Sequence, residues 1–190
     1  MKRVYIIHGW GADSTSDWVP WLKEELESKG IIVNSPDMPE TNTPTIDGWV
    51  GFLSGIVDNP DGETYFVGHS IGCQTILRYI AGLPDDAVVG GAVLVAPWTR
   101  LVNLKEGDEE IARPWFDTPI EWDKVKSHAK SFIVIYSDDD KYVPSDNAKA
   151  FGGNLGAKLT LEQKRGHFTD EDDVTQLPIL LKELLELIET

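Results

Sequence analysis

The chain has 190 residues, 41% of them hydrophobic, enough for one well-formed core and short for two, so a single domain over residues 1–190 is expected. Acidic residues outnumber basic ones 32 to 17, and the formal net charge of -15 repels phosphate backbones and anionic lipid headgroups, which argues against nucleic acid or membrane as a partner. No apolar run approaches the roughly 18 residues of a membrane span, the first residues do not read as an export leader, and the single cysteine, Cys73, allows neither an internal disulfide nor a zinc cluster, so a cytoplasmic location is expected.

Short β-branched and aromatic runs alternate with amphipathic stretches, the pattern of a parallel sheet with crossover helices. A first strand at 4–7 runs into His8-Gly9-Trp10-Gly11. Asp17 is placed to cap a helix with Trp18, Trp21, Leu22 and Leu26 on one face, and Gly30 to stop it. A strand at 31–34 follows, then a stripe of Ile46, Val50, Leu53 and Val57, then a strand at 64–67. The spacing predicts a helix over 71–81 with Ile76, Leu77 and Ile80 inward, ending before Gly82-Leu83-Pro84.

After a fourth strand at 91–95, the segment 97–129 is longer than an ordinary crossover. It reads as an irregular excursion with Pro114 and Pro119, near the mouth of any site on that edge, followed by a helix at about 122–126. Strands at 132–136 and 158–161 flank a short helix capped by Ser145. A last helix over 174–188 carries Leu177, Leu180, Leu181, Leu184, Leu185 and Ile188, with Pro178 in its first turn, where a missing N–H does no harm. The expected fold is a doubly wound α/β domain, its mainly parallel six-stranded sheet covered by helices on both faces.

Gly68-His69-Ser70-Ile71-Gly72 has the form G-x-S-x-G and lies between a predicted strand and a predicted helix. A serine on that sharp turn presents its hydroxyl in the open, and the glycines two positions away remove side chains that would clash. The helix that follows directs its N-terminal N–H groups at the place where a tetrahedral intermediate develops negative charge. Ser70 is therefore the candidate nucleophile, with the backbone N–H of Ile71 and of Trp10 as candidate oxyanion donors.

A serine nucleophile needs a base. His128, in Lys126-Ser127-His128-Ala129-Lys130, is expected to be exposed, and His69, next to the serine on a turn, to pack or to act from behind. His8 and His167 both end strands at the edge where ligands collect, and the chain order Ser, Asp, His selects His167. The acceptor for its second nitrogen lies among Asp138, Asp139 and Asp140. Asp170, Glu171, Asp172 and Asp173 read as a solvated approach to a helix whose positive N-terminus favours acids, so no metal and no cofactor are expected.

Over nearly its whole length the chain resembles the retinoblastoma-binding-protein-nine-like family of small serine hydrolases, compact members of the α/β-hydrolase superfamily, which implies an α/β-hydrolase-like form of that doubly wound sheet. The resemblance is carried by His8-Gly9-Trp10-Gly11, Val67-Gly68-His69-Ser70, Val93-Leu94-Val95-Ala96, Arg113-Pro114-Trp115, Trp122-Asp123-Lys124-Val125-Lys126, the Asp139-Asp140 pair before Val143-Pro144, and Gly166-His167-Phe168. It implies a catalytic set of Ser70, Asp140, the second acid of the pair, and His167. The chain departs from the family in lacking a Leu-x-Cys-x-Glu motif, since Gln74-Thr75 follow Cys73, so retinoblastoma-type binding is not implied; Ile71 stands where a small residue is usual and is expected to narrow the pocket.

The expected activity is acyl transfer to water, with small carboxylic esters as first substrates and thioesters or aromatic amides, in an aminopeptidase-like reaction, after them. Trp10, Trp98, Trp115 and Phe116 are the expected pocket walls. A protein-binding module that keeps the fold without the chemistry is the contrasting reading.

Overall fold

The computed structural model describes residues 1–189; Thr190, the last residue of the expected domain, lies outside the described residues. Chain order runs β1 (Arg3–Ile7), α1 (Val19–Glu27), β2 (Ile32–Asn34), α2 (Ile46–Ile56), β3 (Thr64–His69), α3 (Ile71–Ala81) and β4 (Gly91–Val95). It continues through α4 (Asp108–Asp117), α5 (Trp122–Ser127), β5 (Phe132–Ser137), α6 (Asp146–Leu155), β6 (Lys158–Glu162), a single 3-10 turn at Asp170–Asp172 and α7 (Pro178–Glu189).

The six strands form one parallel sheet in the order β2-β1-β3-β4-β5-β6. The first crossover steps outward from β1 and every later one steps the other way, so right-handed connections place α1 on one face and α2, α3, α5 and α6 on the other, and α7, which follows the last strand, packs beside α1. The carboxyl ends of β1 and β3 part at the reversal of strand order, which opens a crevice there. Phe66, Val67, Val93, Leu94 and Val134 are fully buried between the helix layers, each removal from water contributing about 1.5–3 kcal/mol.

Four local expectations need correction. Asp17 does not cap α1: the helix begins at Val19 with a proline in its first turn, and Asp17 takes a left-handed φ of 54° with its carboxyl turned toward His69. The last helix begins at Pro178 rather than at residue 174, because a proline disfavours helical backbone in the residue before it; Val174 and Leu177 are buried all the same. The 97–129 excursion contains a ten-residue helix, α4, with Pro114 inside it. Glu110, whose carbonyl loses its partner there, is exposed and can turn to water. His128 is buried, its Nδ1 2.9 Å from the Ala87 carbonyl oxygen. Strand β6 lies at an edge of the sheet, with Leu159 and Leu161 exposed.

Candidate active site

Strand β3 ends in the turn that carries Ser70, whose φ of 52° and ψ of -114° lie outside the regions an L-residue ordinarily occupies. The glycines around it are steric requirements. A Cβ on Gly68 would stand 2.8 Å from Cys73 N, and one on Gly72 would run into the backbone carbonyls of Ile7 and His8. Ser70 N–H donates to Val95 O at 2.9 Å, tying the turn to the end of β4. The Ser70 hydroxyl oxygen accepts a hydrogen bond from the indole N–H of Trp98 at 3.2 Å, and none joins it to His167 among the described residues.

His167 follows β6, and its Nδ1 donates to Asp140 Oδ2 at 2.7 Å. The other oxygen of Asp140 accepts the backbone N–H groups of Tyr142 (2.8 Å) and Val143 (2.9 Å), so the carboxylate is clamped and buried. With Nδ1 engaged as donor, the imidazole keeps a free lone pair on Nε2.

The neighbouring acids have a different duty. Asp139 accepts the Ser137 hydroxyl at 2.7 Å and Gly166 N–H at 2.9 Å, hydrogen bonds that hold its carboxyl below the usual range, and Asp138 accepts Lys164 N–H at 2.8 Å. Both stitch the end of β5 to the loop that carries the histidine.

Two further residues brace that loop: Asp172, to which the sequence reading gave no such role, and His69, which it expected to pack or to act from behind. Asp172 accepts His167 N–H at 2.7 Å and the Thr169 hydroxyl at 3.0 Å, with Lys141 3.6 Å away. Burial pushes its carboxyl up, but these partners together hold it below the usual range. His69 places Nε2 2.8 Å from His167 O. Burial, then the nearby His167, push its imidazole down to about 3, so it is neutral and its 3.6 Å approach to Asp17 is not an ion pair. Asp17 itself is pushed up by burial and accepts Asp170 N–H at 2.9 Å. His8 is fully engaged elsewhere: Met38 N–H donates to Nε2 at 2.9 Å, so Nδ1 carries the proton and donates to Gly9 O at 2.8 Å.

Ser70, His69 and His167 share a cavity of about 530 Å³, which Gly9, Trp10, Asp17, Leu101, Leu104 and Tyr142 also line. Asp108, Asp170 and Glu171 make its rim acidic, with Lys105 opposing. Trp98, Trp115 and Phe116 do not line it. Trp98 and Trp115 are buried, the latter donating its indole N–H to Pro44 O at 3.1 Å, and Phe116 packs edge-on against Trp98. Apolar bulk on that segment went into seating α4 rather than into the pocket wall. Ile71 is likewise fully buried and does not narrow the cavity. Among the described residues no three His, Cys, Asp or Glu side chains converge as metal ligands would, and no helix is long and apolar enough to cross a membrane.

Comparison with known proteins gives a consistent picture. A model of the family described as serine hydrolase matches residues 4–186. YdeN of Bacillus subtilis (strain 168) is 35% identical over 179 residues, 94% of this chain and 92% of that protein. Serine hydrolase RBBP9 of Rattus norvegicus is 29% identical over 167 residues, 87% of this chain and 85% of that one. The crystal structure of the B. subtilis ydeN gene product superposes with a TM-score of 0.92 at 32% identity and covers 100% of each chain. Est1E from Butyrivibrio proteoclasticus superposes at 0.74 over 100% of this chain and 90% of that one, and at 18% identity it speaks to the fold alone. A six-stranded parallel sheet, helices on both faces and a serine on the β3–α3 turn of a chain this similar to YdeN and RBBP9 lead to one assignment: the protein has the α/β-hydrolase fold and belongs to the serine hydrolase family.

Proposed function

We propose that the protein cleaves small carboxylic esters through an acyl-enzyme on Ser70, with His167 as proton carrier and Asp140 orienting it. The 2.7 Å hydrogen bond between His167 and a carboxylate already clamped by two backbone N–H groups carries this reading, because it fixes the tautomer that leaves Nε2 free in the cavity of Ser70. Ser70 Oγ bonds the carbonyl carbon as its proton passes to Nε2, and the imidazolium then protonates the departing alcohol. Asp140 stabilises that imidazolium without taking the proton. Water repeats the sequence on the acyl-enzyme and releases the acid.

The oxyanion is assigned to the backbone N–H groups of Ile71 and Trp10. Among the described residues neither makes a hydrogen bond within the protein, and the first lies at the N-terminus of an eleven-residue helix. Esters are favoured because their alcohols leave with little assistance, whereas an amine must first be fully protonated. A fluorophosphonate probe tests the reading: wild type is expected to label at Ser70, and Ser70→Ala and His167→Ala are expected to give no label while folding normally. Labelling that survives in Ser70→Ala would overturn it. A panel of p-nitrophenyl esters and aminoacyl amides then ranks the substrates.

A further inference from the structure

The indole N–H of Trp98 is a donor without acceptor capacity, and here the fully buried indole ends on the hydroxyl oxygen of Ser70 at 3.2 Å, behind the cavity that Ser70 lines. Its placement is held from several directions. Ala96 turns the chain at the end of β4 with a left-handed φ of 48°. Gln74 donates to Trp98 O at 2.6 Å, and Arg78 in turn donates to Gln74 at 2.7 Å. Asn147 Oδ1 accepts Thr99 N–H at 2.7 Å and Arg100 N–H at 3.1 Å, and Phe116 packs against the indole with ring centres 5.4 Å apart. A donor fixed this firmly adds no reorganisation cost when charge develops beside it.

We propose that Trp98 positions the oxygen of Ser70 and assists its departure from the acyl-enzyme; the inference rests on Ser70 being the nucleophile. During acylation Oγ gives an electron pair to the carbonyl carbon and its proton to His167 Nε2, but the free hydroxyl already accepts the indole N–H before this step. The ester oxygen of the acyl-enzyme is a poor acceptor, so the contact gains less in acylation than in deacylation. During deacylation water bonds the acyl carbon as its proton passes to Nε2. The C–Oγ bond then breaks, its electron pair returns to Oγ, His167 returns the proton there, and the carboxylic acid leaves. Electron density rises on Oγ in that last step, where the N–H of Trp98 already points. Interactions stronger in the transition state than before it are those that accelerate a step.

The test is the burst kinetics of wild type and Trp98→Phe with p-nitrophenyl acetate. The variant is expected to slow the steady phase, limited by deacylation, by about tenfold, the worth of one hydrogen bond, and to change the burst rate by less than about threefold. Equal slowing of both phases, as misplaced packing would give, or no slowing, overturns the inference. A wild type that is not labelled at Ser70 by fluorophosphonate fails the nucleophile reading instead. Should Trp98→Phe not fold, the indole N–H resonances of the seven tryptophans are compared between wild type and Ser70→Ala. One resonance is expected to shift and to exchange faster with solvent, and superimposable spectra refute the contact.

Discussion

At Asp140 the consequence of one oxygen-to-nitrogen change can be followed atom by atom. One side of the carboxylate accepts two backbone N–H groups and the other accepts His167 Nδ1. In Asp140→Asn the amide oxygen must stay on the backbone donors, which turns its NH2 toward the imidazole and places the imidazole proton on Nε2, where it blocks the base. Turnover of a p-nitrophenyl ester is expected to fall by roughly four orders of magnitude with the circular dichroism unchanged. Asp139→Asn leaves the imidazole untouched, because its partners are Ser137 and Gly166, and is expected to keep turnover within about tenfold. The reverse ranking of the two variants would move the orienting role to Asp139.

Among the elements, the β3–α3 turn is where backbone packing leaves least freedom. Gly72 faces the carbonyls of Ile7 and His8, backbone atoms at the carboxyl end of β1 that cannot rotate aside. Gly72→Ala is therefore expected to cost about 1–3 kcal/mol or more in chemical denaturation. Gly51, on an exposed turn of α2, meets nothing within 4 Å of the added carbon, and Gly51→Ala is expected to raise stability by about 0.5–1 kcal/mol through helix propensity. The contrast separates a glycine needed for close approach from one that merely occupies a helix.

For the molecule as a whole, the buried histidines set how stability responds to acid. His69 is pushed down to about 3, and His8 is also lowered, each first by burial. Below the unfolded-state value near 6.5 the unfolded chain binds protons that the folded one refuses, so stability falls as pH drops, by up to about 1.4 kcal/mol per pH unit per histidine. Asp17, raised by burial, has the opposite sign: its contribution is present at low pH and is lost as pH rises through its folded value. Carboxylates held low, such as Asp139 and Asp172, contribute stability that is fully present above the ordinary carboxylate value and is lost only as the pH falls below it. Urea midpoints are expected to fall between pH 6.5 and 4.5 in wild type and to fall less steeply in His69→Gln. Equal slopes would mean that His69 is not a suppressed base.

The sequence by itself determined the order of the six strands along the chain, the parallel class of the sheet, the strand-to-helix turn that carries Ser70 and the edge at which His167 arrives. Each of these follows from local periodicity, from steric demands within five residues, or from the rule that parallel strands end on one side. The division of labour among Asp138, Asp139 and Asp140 could not be read that way, because consecutive residues with one chemistry differ only in what lies across the loop. Nor could the burial of His128, the bracing by Asp172, or the helix that continues through Pro114. Trp98 shows the same limit: its apolar bulk pointed to a pocket wall, but the end of β4 turns it inward against Phe116 with its N–H on Ser70. Residues far apart in the chain meet through strand register and loop direction, which no local pattern encodes, and those meetings decided which hydrogen bonds the site contains.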